Sequence, residues 1–447
     1  MPASPASLPA DGWQTIEALL PADWERQASL LGFASTSHAP PGAVCPPAAA
    51  KLRTMLHLVA CNMSLRTTAA ASCAADLVSV THVAIHKWFR KAVPFFSYLL
   101  LSLTGAQPVF DRDRWAGYVV RAIDATTVQR LGAQGTTARI HFCLRLNDMA
   151  CVQAVLTDEK VGESLRNFST SAGVLDIADR GYSNPPSIAA ATDQHGDVLV
   201  RWSPPSLPLF DRRGRKISPV AVLRGLDLGA VKEWPAEVRP KNHAPIAVRL
   251  VITRLPTDKA NEARARLRRE LGRQASGQVL YWAGFVMLVT TVPKDRLDCF
   301  AIAELYCLRW QIELQFKRDK SVGGLDLLPN RRDENIKAWI LAKLLLSELA
   351  RRVVTAAPRQ PPAAQRPDRL SRLTPPPQDF LANLWECAAL AWSLLRSAFL
   401  PIDWNNLHDF ARRFRAHLAY LKRKDDPTQV AAFLTFLRGR SHPRAPG

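Results

Sequence analysis

Tyr306, Arg309, Glu313 and Lys320 stand at intervals that a helix turns into a single face. At roughly 100° per residue, Arg309 lies about 60° around the axis from Tyr306, Glu313 about 20° and Lys320 about 40°. A carboxylate flanked by two cations and an aromatic hydroxyl is ill suited to an apolar core. It is well suited to a divalent metal beside a phosphodiester, because carboxylate oxygens hold a hard cation. Arg and Lys, for their part, grip phosphate oxygens.

Two carboxylates upstream stand in contexts that fit. Asp124 ends the apolar run Tyr118-Val119-Val120-Arg121-Ala122-Ile123 and is followed by small residues. Asp179 ends Val174-Leu175-Asp176-Ile177-Ala178 and precedes Arg180-Gly181-Tyr182. Both runs read as buried strands delivering an acid at their C-terminal ends. A lone aspartate at a strand end is most often a turn or capping residue. Taken with the helical face, the two read instead as metal ligands. Asp176, mid-strand, reads as structural.

The spacing Y-x2-R-x3-E-x6-K, preceded by D-A-T and D-R-G-Y in that order, resembles the signature of DDE transposases, in the branch called the insertion-sequence four family. The resemblance spans roughly residues 64–350. It implies Asp124, Asp179 and Glu313 as the catalytic and metal-binding triad. It also implies two Mg²⁺ ions about 3.5–4 Å apart, for which Mn²⁺ is an expected substitute. Tyr306, Arg309 and Lys320 are then phosphate contacts; the plain alternative for Arg309 is a surface i,i+4 pair with Glu313. The implied activity is cut-and-paste DNA transposition: cleavage at terminal inverted repeats, hairpin ends, and joining of 3′ ends to target DNA by a dimer acting in trans. Two other readings stay open, a metal-dependent nuclease on the same fold and a catalytically inactive or domesticated DNA-binding regulator. Related transposases carry a tryptophan at the start of the last insertion strand, where it stacks on a flipped base. Val286 stands at that place here, so Trp282 or Phe285 is the candidate for stacking worth about 1–3 kcal/mol per base.

Composition agrees with a polyanionic partner. The 447 residues carry a formal charge of +20, which favours nucleic acid over a membrane. A hydrophobic content of 47% supports real cores, and the length suggests two to four domains. No charge-free run of about 18 apolar residues indicates a membrane span, and the first residues do not read as a secretory signal. The eight cysteines (45, 61, 73, 143, 151, 299, 307 and 387) contain no C-x-x-C and fit neither a disulfide framework nor a zinc site. A cytoplasmic protein, nucleoid-associated when bound to DNA, is expected.

The elements that must position these residues read as α/β. Residues 1–47 read as a partly disordered leader that either packs weakly or contacts DNA. Residues 48–112 form a helical DNA-binding region, with helices at Lys51–Asn62, from Ser64 as N-cap, and at Val80–Phe89 ending in basic Lys87-Trp88-Phe89-Arg90-Lys91. Three strands, a helix over Glu159–Phe168 and a fourth strand make 113–190 the first part of a ribonuclease-H-like core. Residues 191–294 are a mostly β insertion containing a basic helix, Asp258–Gln274, whose arginines face either DNA or solvent. Residues 295–356 complete the core, with the signature on one helix from Leu297 to Lys320. A proline-rich hinge (357–377) and C-terminal helices (378–447) follow.

Overall fold

A computed structural model of the chain describes residues 12–34, 46–105, 115–129, 135, 138–158, 160–328, 333–356, 389–401 and 407–420. Its centre is one sheet of nine strands: β1 Val119–Val128, β2 Ala138–Arg145, β3 Ala150–Thr157, β4 Val174–Ala178, β5 Asp197–Arg201, β6 Leu209–Phe210, β7 Val231–Val238, β8 Ile246–Arg254 and β9 Phe285–Thr290. They lie in the order β3-β2-β1-β4-β5-β9-β8-β7-β6. β1, β4 and β5 run parallel, and every other pairing is antiparallel.

Both faces of the central strands are buried, so their sequences are nearly continuous apolar runs. Val120, Ala122, Leu175, Ile177 and Leu199 face a core shared with helices. Their alternating neighbours Ile123, Ala178, Val198 and Val200 face a second core with Trp202 and the strands that follow. The β4–β5 crossover is the helix Pro185–Thr192. Asn184 caps it, its side chain accepting the Ser187 N–H at 3.0 Å, and proline opens its first turn.

The helical layer is α1 Gly12–Glu17, α2 Trp24–Leu30, α3 Ala48–Ala60, α4 Leu65–Ala74 and α5 His82–Gly105. The crossover helix is α6, which packs Ile188 and Ala191 into the second core; the series continues with α7 Pro219–Leu223, α8 Thr257–Leu271, α9 Gly277–Trp282, α10 Cys299–Cys307, α11 Trp310–Ser321 and α12 Asp333–Ala356. A helix over 389–398 (α13) and α14 Leu407–Tyr420 complete it. Ser64 caps α4 as expected, accepting the Thr67 N–H at 3.1 Å. Among the described residues no helix is long and apolar enough to cross a membrane.

Several expectations need correction. Residues 12–34 pack firmly: Trp13 and Trp24 are buried in the main core, Trp13 against Phe399. α3 is buried on nearly every side, Lys51, Arg53 and His57 included, and Arg53 donates to the Phe399 carbonyl at 3.0 Å. The third helix does not stop at Phe89 but runs through Pro94 to Gly105, because Phe95, Phe96, Leu99 and Leu103 all bury on its inner face. Only a single 3₁₀ turn, Leu165–Asn167, forms among the described residues of 159–168; Gly162 and the Ser164 cap break that stretch. β5, which falls within the expected insertion, is instead a parallel neighbour of β4. β7 carries Pro235, which argues against a strand in isolation. The adjacent β6 is short and pairs only with Glu237 and Val238, leaving Pro235 unpaired on that side. The hinge at 357–377 lies outside the described residues.

Candidate active site

Strand register brings the two aspartates together. Ile123 pairs with Ala178 across β1 and β4, and the next residues are Asp124 and Asp179. β4 ends there while β1 continues against β2, so Asp124 lies within its strand, opposite Phe142, and not at the strand's end. Its carboxylate accepts the Ala125 N–H at 2.8 Å. Asp179 caps a 3₁₀ turn, Arg180–Tyr182, by accepting the Gly181 N–H at 2.8 Å. A Cβ on Gly181 would stand 2.1 Å from Glu163 Oε2 and 3.2 Å from Asp179 Oδ1, so the glycine lets the two acids close in. Asp176 is settled as structural: it is 2% exposed and takes a two-pronged bond from Arg121 at 2.7 and 2.8 Å.

The helical signature lies on two helices, contrary to the single one expected. Tyr306 is near the end of α10, and Glu313 and Lys320 are on α11. Between them the backbone bonds tighten to three-residue steps: Leu308 N–H to Leu305 C=O, Arg309 to Tyr306, Gln311 to Leu308 and Ile312 to Arg309. In such 3₁₀ geometry residues i and i+3 eclipse, which puts Arg309 on the same side of the turn as Tyr306. Ile312 and Phe316 bury against the sheet, Phe316 edge-on to Phe142, each contributing about 1.5–3 kcal/mol. The Arg309 guanidinium then donates to Glu313 and approaches Asp124 Oδ2 at 3.7 Å, so it lies between the two carboxylates. Lys320 Nζ donates to the Thr127 carbonyl at 3.2 Å, further along β1.

Charge is unevenly met here. Burial, together with Asp179 and Glu163 nearby, pushes the Asp124 carboxyl up to about 7 despite its bond from Ala125 N–H and the neighbouring Arg309. Burial and Asp179 also raise Glu163. Glu163 was not singled out from sequence: it sits in a loop with no periodicity, and only its spatial approach to Gly181 marks it. The buried Tyr182 hydroxyl, close to the same three acids, has no hydrogen-bond partner among the described residues. All-oxygen donors short of positive charge suit a hard divalent cation. As placed, Glu313 is turned to Arg309, and no three acidic, His or Cys groups among the described residues converge tightly enough to chelate an ion.

The aromatic candidates fall on the second core. Phe285 is 4% exposed, and the Trp282 indole N–H is buried. Neighbouring Tyr281, edge-on to Phe285, is 41% exposed.

Two acids side by side on adjacent parallel strands, one within β1 and one just past the end of β4, faced by a helix bearing a glutamate and cations, form an arrangement suited to metal-assisted phosphoryl transfer. Similarity to known proteins narrows the class. Residues 115–349 match the family described as Transposase DDE domain. The putative transposase InsL of insertion sequence element IS186A, from Escherichia coli K12, is 32% identical over 309 residues, 67% of this chain and 83% of that protein. The transposase of element IS421, also from Escherichia coli, is 32% identical over 307 residues, 67% of this chain and 82% of its own. The chain belongs to the DDE transposases of insertion sequences: a DNA-cleaving, divalent-metal-using enzyme with DNA as substrate.

Proposed function

We propose that Asp124, Asp179 and Glu313 are the catalytic triad of a cut-and-paste transposase and together hold two Mg²⁺ ions. The observation that carries this is the Ile123–Ala178 register, which puts two aspartates side by side beneath the helix bearing Arg309 and Glu313. The strand order β3-β2-β1-β4-β5 supports a ribonuclease-H-like core, with β6–β9 as the β-rich insertion. When bound, the ions would neutralise the acids and activate first water and then a DNA 3′-hydroxyl for in-line attack.

The chain's own groups supply binding and orientation. Arg309 exchanges Glu313 for a phosphate oxygen, freeing that carboxylate for metal. Tyr306, whose phenol burial keeps protonated, donates to phosphate, and Lys320 clamps the strand along β1. Exposed Lys87, Arg90 and Lys91 on α5 and the arginines of α8 extend the basic surface toward the terminal inverted repeats and target DNA. Hairpin formation and catalysis in trans by a dimer complete the reading. Trp282 or Phe285 captures a base only if the end of α9 or the start of β9 shifts outward, whereas Tyr281 is already exposed.

The test is a Mg²⁺-dependent cleavage and strand-transfer assay on a plasmid carrying the inverted repeats that flank the reading frame. Wild type should yield excised and joined products, and Glu313→Gln should bind ends but yield neither. Excision without joining would mark a nuclease. Binding with no cut by wild type under Mg²⁺ or Mn²⁺ would mark a DNA-binding regulator.

A further inference from the structure

The row that contains Asp124 and Asp179 has a third member. Ala178 of β4 pairs with Val200 of β5, as it does with Ile123 of β1 on its other side. Ile123, Ala178 and Val200 all point into the second core. The residues after them, Asp124, Asp179 and Arg201, therefore project from the opposite face, where α10 and α11 lie. Arg201 is the last residue of β5 and is still paired with Leu288 of β9, so its backbone is held on the insertion side.

Its surroundings are unusual for a partly buried arginine. Arg121 pairs with Asp176, Arg249 with Glu233, and Arg309 with Glu313. The Arg201 side chain makes no hydrogen bond or ion pair among the described residues. Arg180, Arg266 and Arg309 are the cations that bear on it, with the Tyr306 hydroxyl beside them. Burial foremost, then these cations, lowers its pKa. A guanidinium held among like charges, away from bulk water, is costly unless an anion arrives. Its fork matches two oxygens of a phosphate.

We propose that Arg201 is a phosphate-binding residue of this active site, seating a DNA backbone phosphate beside the scissile one. Arg180 and Tyr306 border the same seat. The inference rests on the transposase reading of Asp124, Asp179 and Glu313, and adds to it the residue that fixes where the strand lies across the row. Position in the sheet carries it: acid, acid, guanidinium at one level of three parallel strands.

The experiment pairs Arg201→Gln with single methylphosphonate substitutions, which make one phosphate neutral, scanned across a DNA end near the cut. End binding is measured without metal and cleavage with Mg²⁺. For wild type, one position should weaken binding and slow cleavage about 10- to 100-fold. Arg201→Gln should be weaker on unmodified DNA by a similar factor, and indifferent to the neutral group at that position alone. An Arg201→Gln protein that matches wild type, or that keeps the wild-type sensitivity at every position, overturns the proposal. Should Arg201→Gln not fold, Arg201→Lys makes the same comparison, because it keeps the charge and loses the fork. It should lose part of the sensitivity at that position, and full sensitivity would overturn the proposal. If metal-free binding shows the interplay while wild type never cuts, Arg201 stands and the catalytic reading falls. If wild type cuts and no interplay exists, the reverse holds.

Discussion

Asp176 and Asp179 are three residues apart and answer to different physics. Asp176 neutralises buried Arg121, so Asp176→Asn should cost about 3–5 kcal/mol of stability by stranding that guanidinium. Among the described residues Asp179 bonds only an exposed glycine N–H, so Asp179→Asn should abolish cleavage with stability nearly unchanged. Thermal melts beside a cleavage assay check both, and a destabilised, active Asp179→Asn would reverse the assignment. Gly181→Ala belongs with them: its methyl must push Glu163 aside and press on Asp179, so cleavage should fall about tenfold or more while the melting midpoint holds. Asp124 and Asp179 were legible because an apolar run that reaches an aspartate is a local pattern, although β1 runs on past its acid. Glu163 and Arg201 were not, because only register and loop closure bring them to the acids. The same closure explains why Phe285, promising as an aromatic near a strand start, is a core residue.

Among the elements, α8 buries only Ala260 and carries exposed Arg268 and Arg269. A helix with so little inward packing gains little from its neighbours. Arg268→Gln with Arg269→Gln should leave stability within about 0.5 kcal/mol. It should reduce the salt dependence of DNA binding by about one unit of slope for each phosphate that is no longer neutralised. An unchanged salt slope would make this a merely solvated face. The four strands of 113–190 and the β character of the stretch that follows were readable because their apolar runs are long. β7 was hidden by its proline, and the α10–α11 break by helical φ and ψ at Leu308 and Arg309, which leave no glycine or proline in the sequence to mark it.

For the molecule as a whole, Lys343 ties the helical layer to the site. From α12 its Nζ donates to Asn62 Oδ1 at 2.5 Å, beyond α3, and to the Gly323 carbonyl at 2.6 Å, beyond α11. Burial, reinforced by Arg396, lowers its pKa to about 7. A neutral amine has two N–H groups for these two acceptors. Between about pH 7 and about pH 10.4 the unfolded chain binds the extra proton, so stability should rise with pH across that window. Below it both states are protonated and the slope vanishes. Lys343→Met should flatten the rise, as melting midpoints from about pH 6.5 to 10 would reveal; an identical slope in the variant would exclude Lys343 as its source.

The pairing of β5 with β9 also governs what happens when the chain is cut short. β5 is an inner strand only because β9, far along the sequence, covers it. A fragment ending before residue 285 would leave Val198, Leu199 and Val200 as a raw apolar edge with unpaired backbone groups, a template for joining other chains. Such truncated translation products should aggregate edge to edge, and if they capture full-length copies they would act as poisons of transposition.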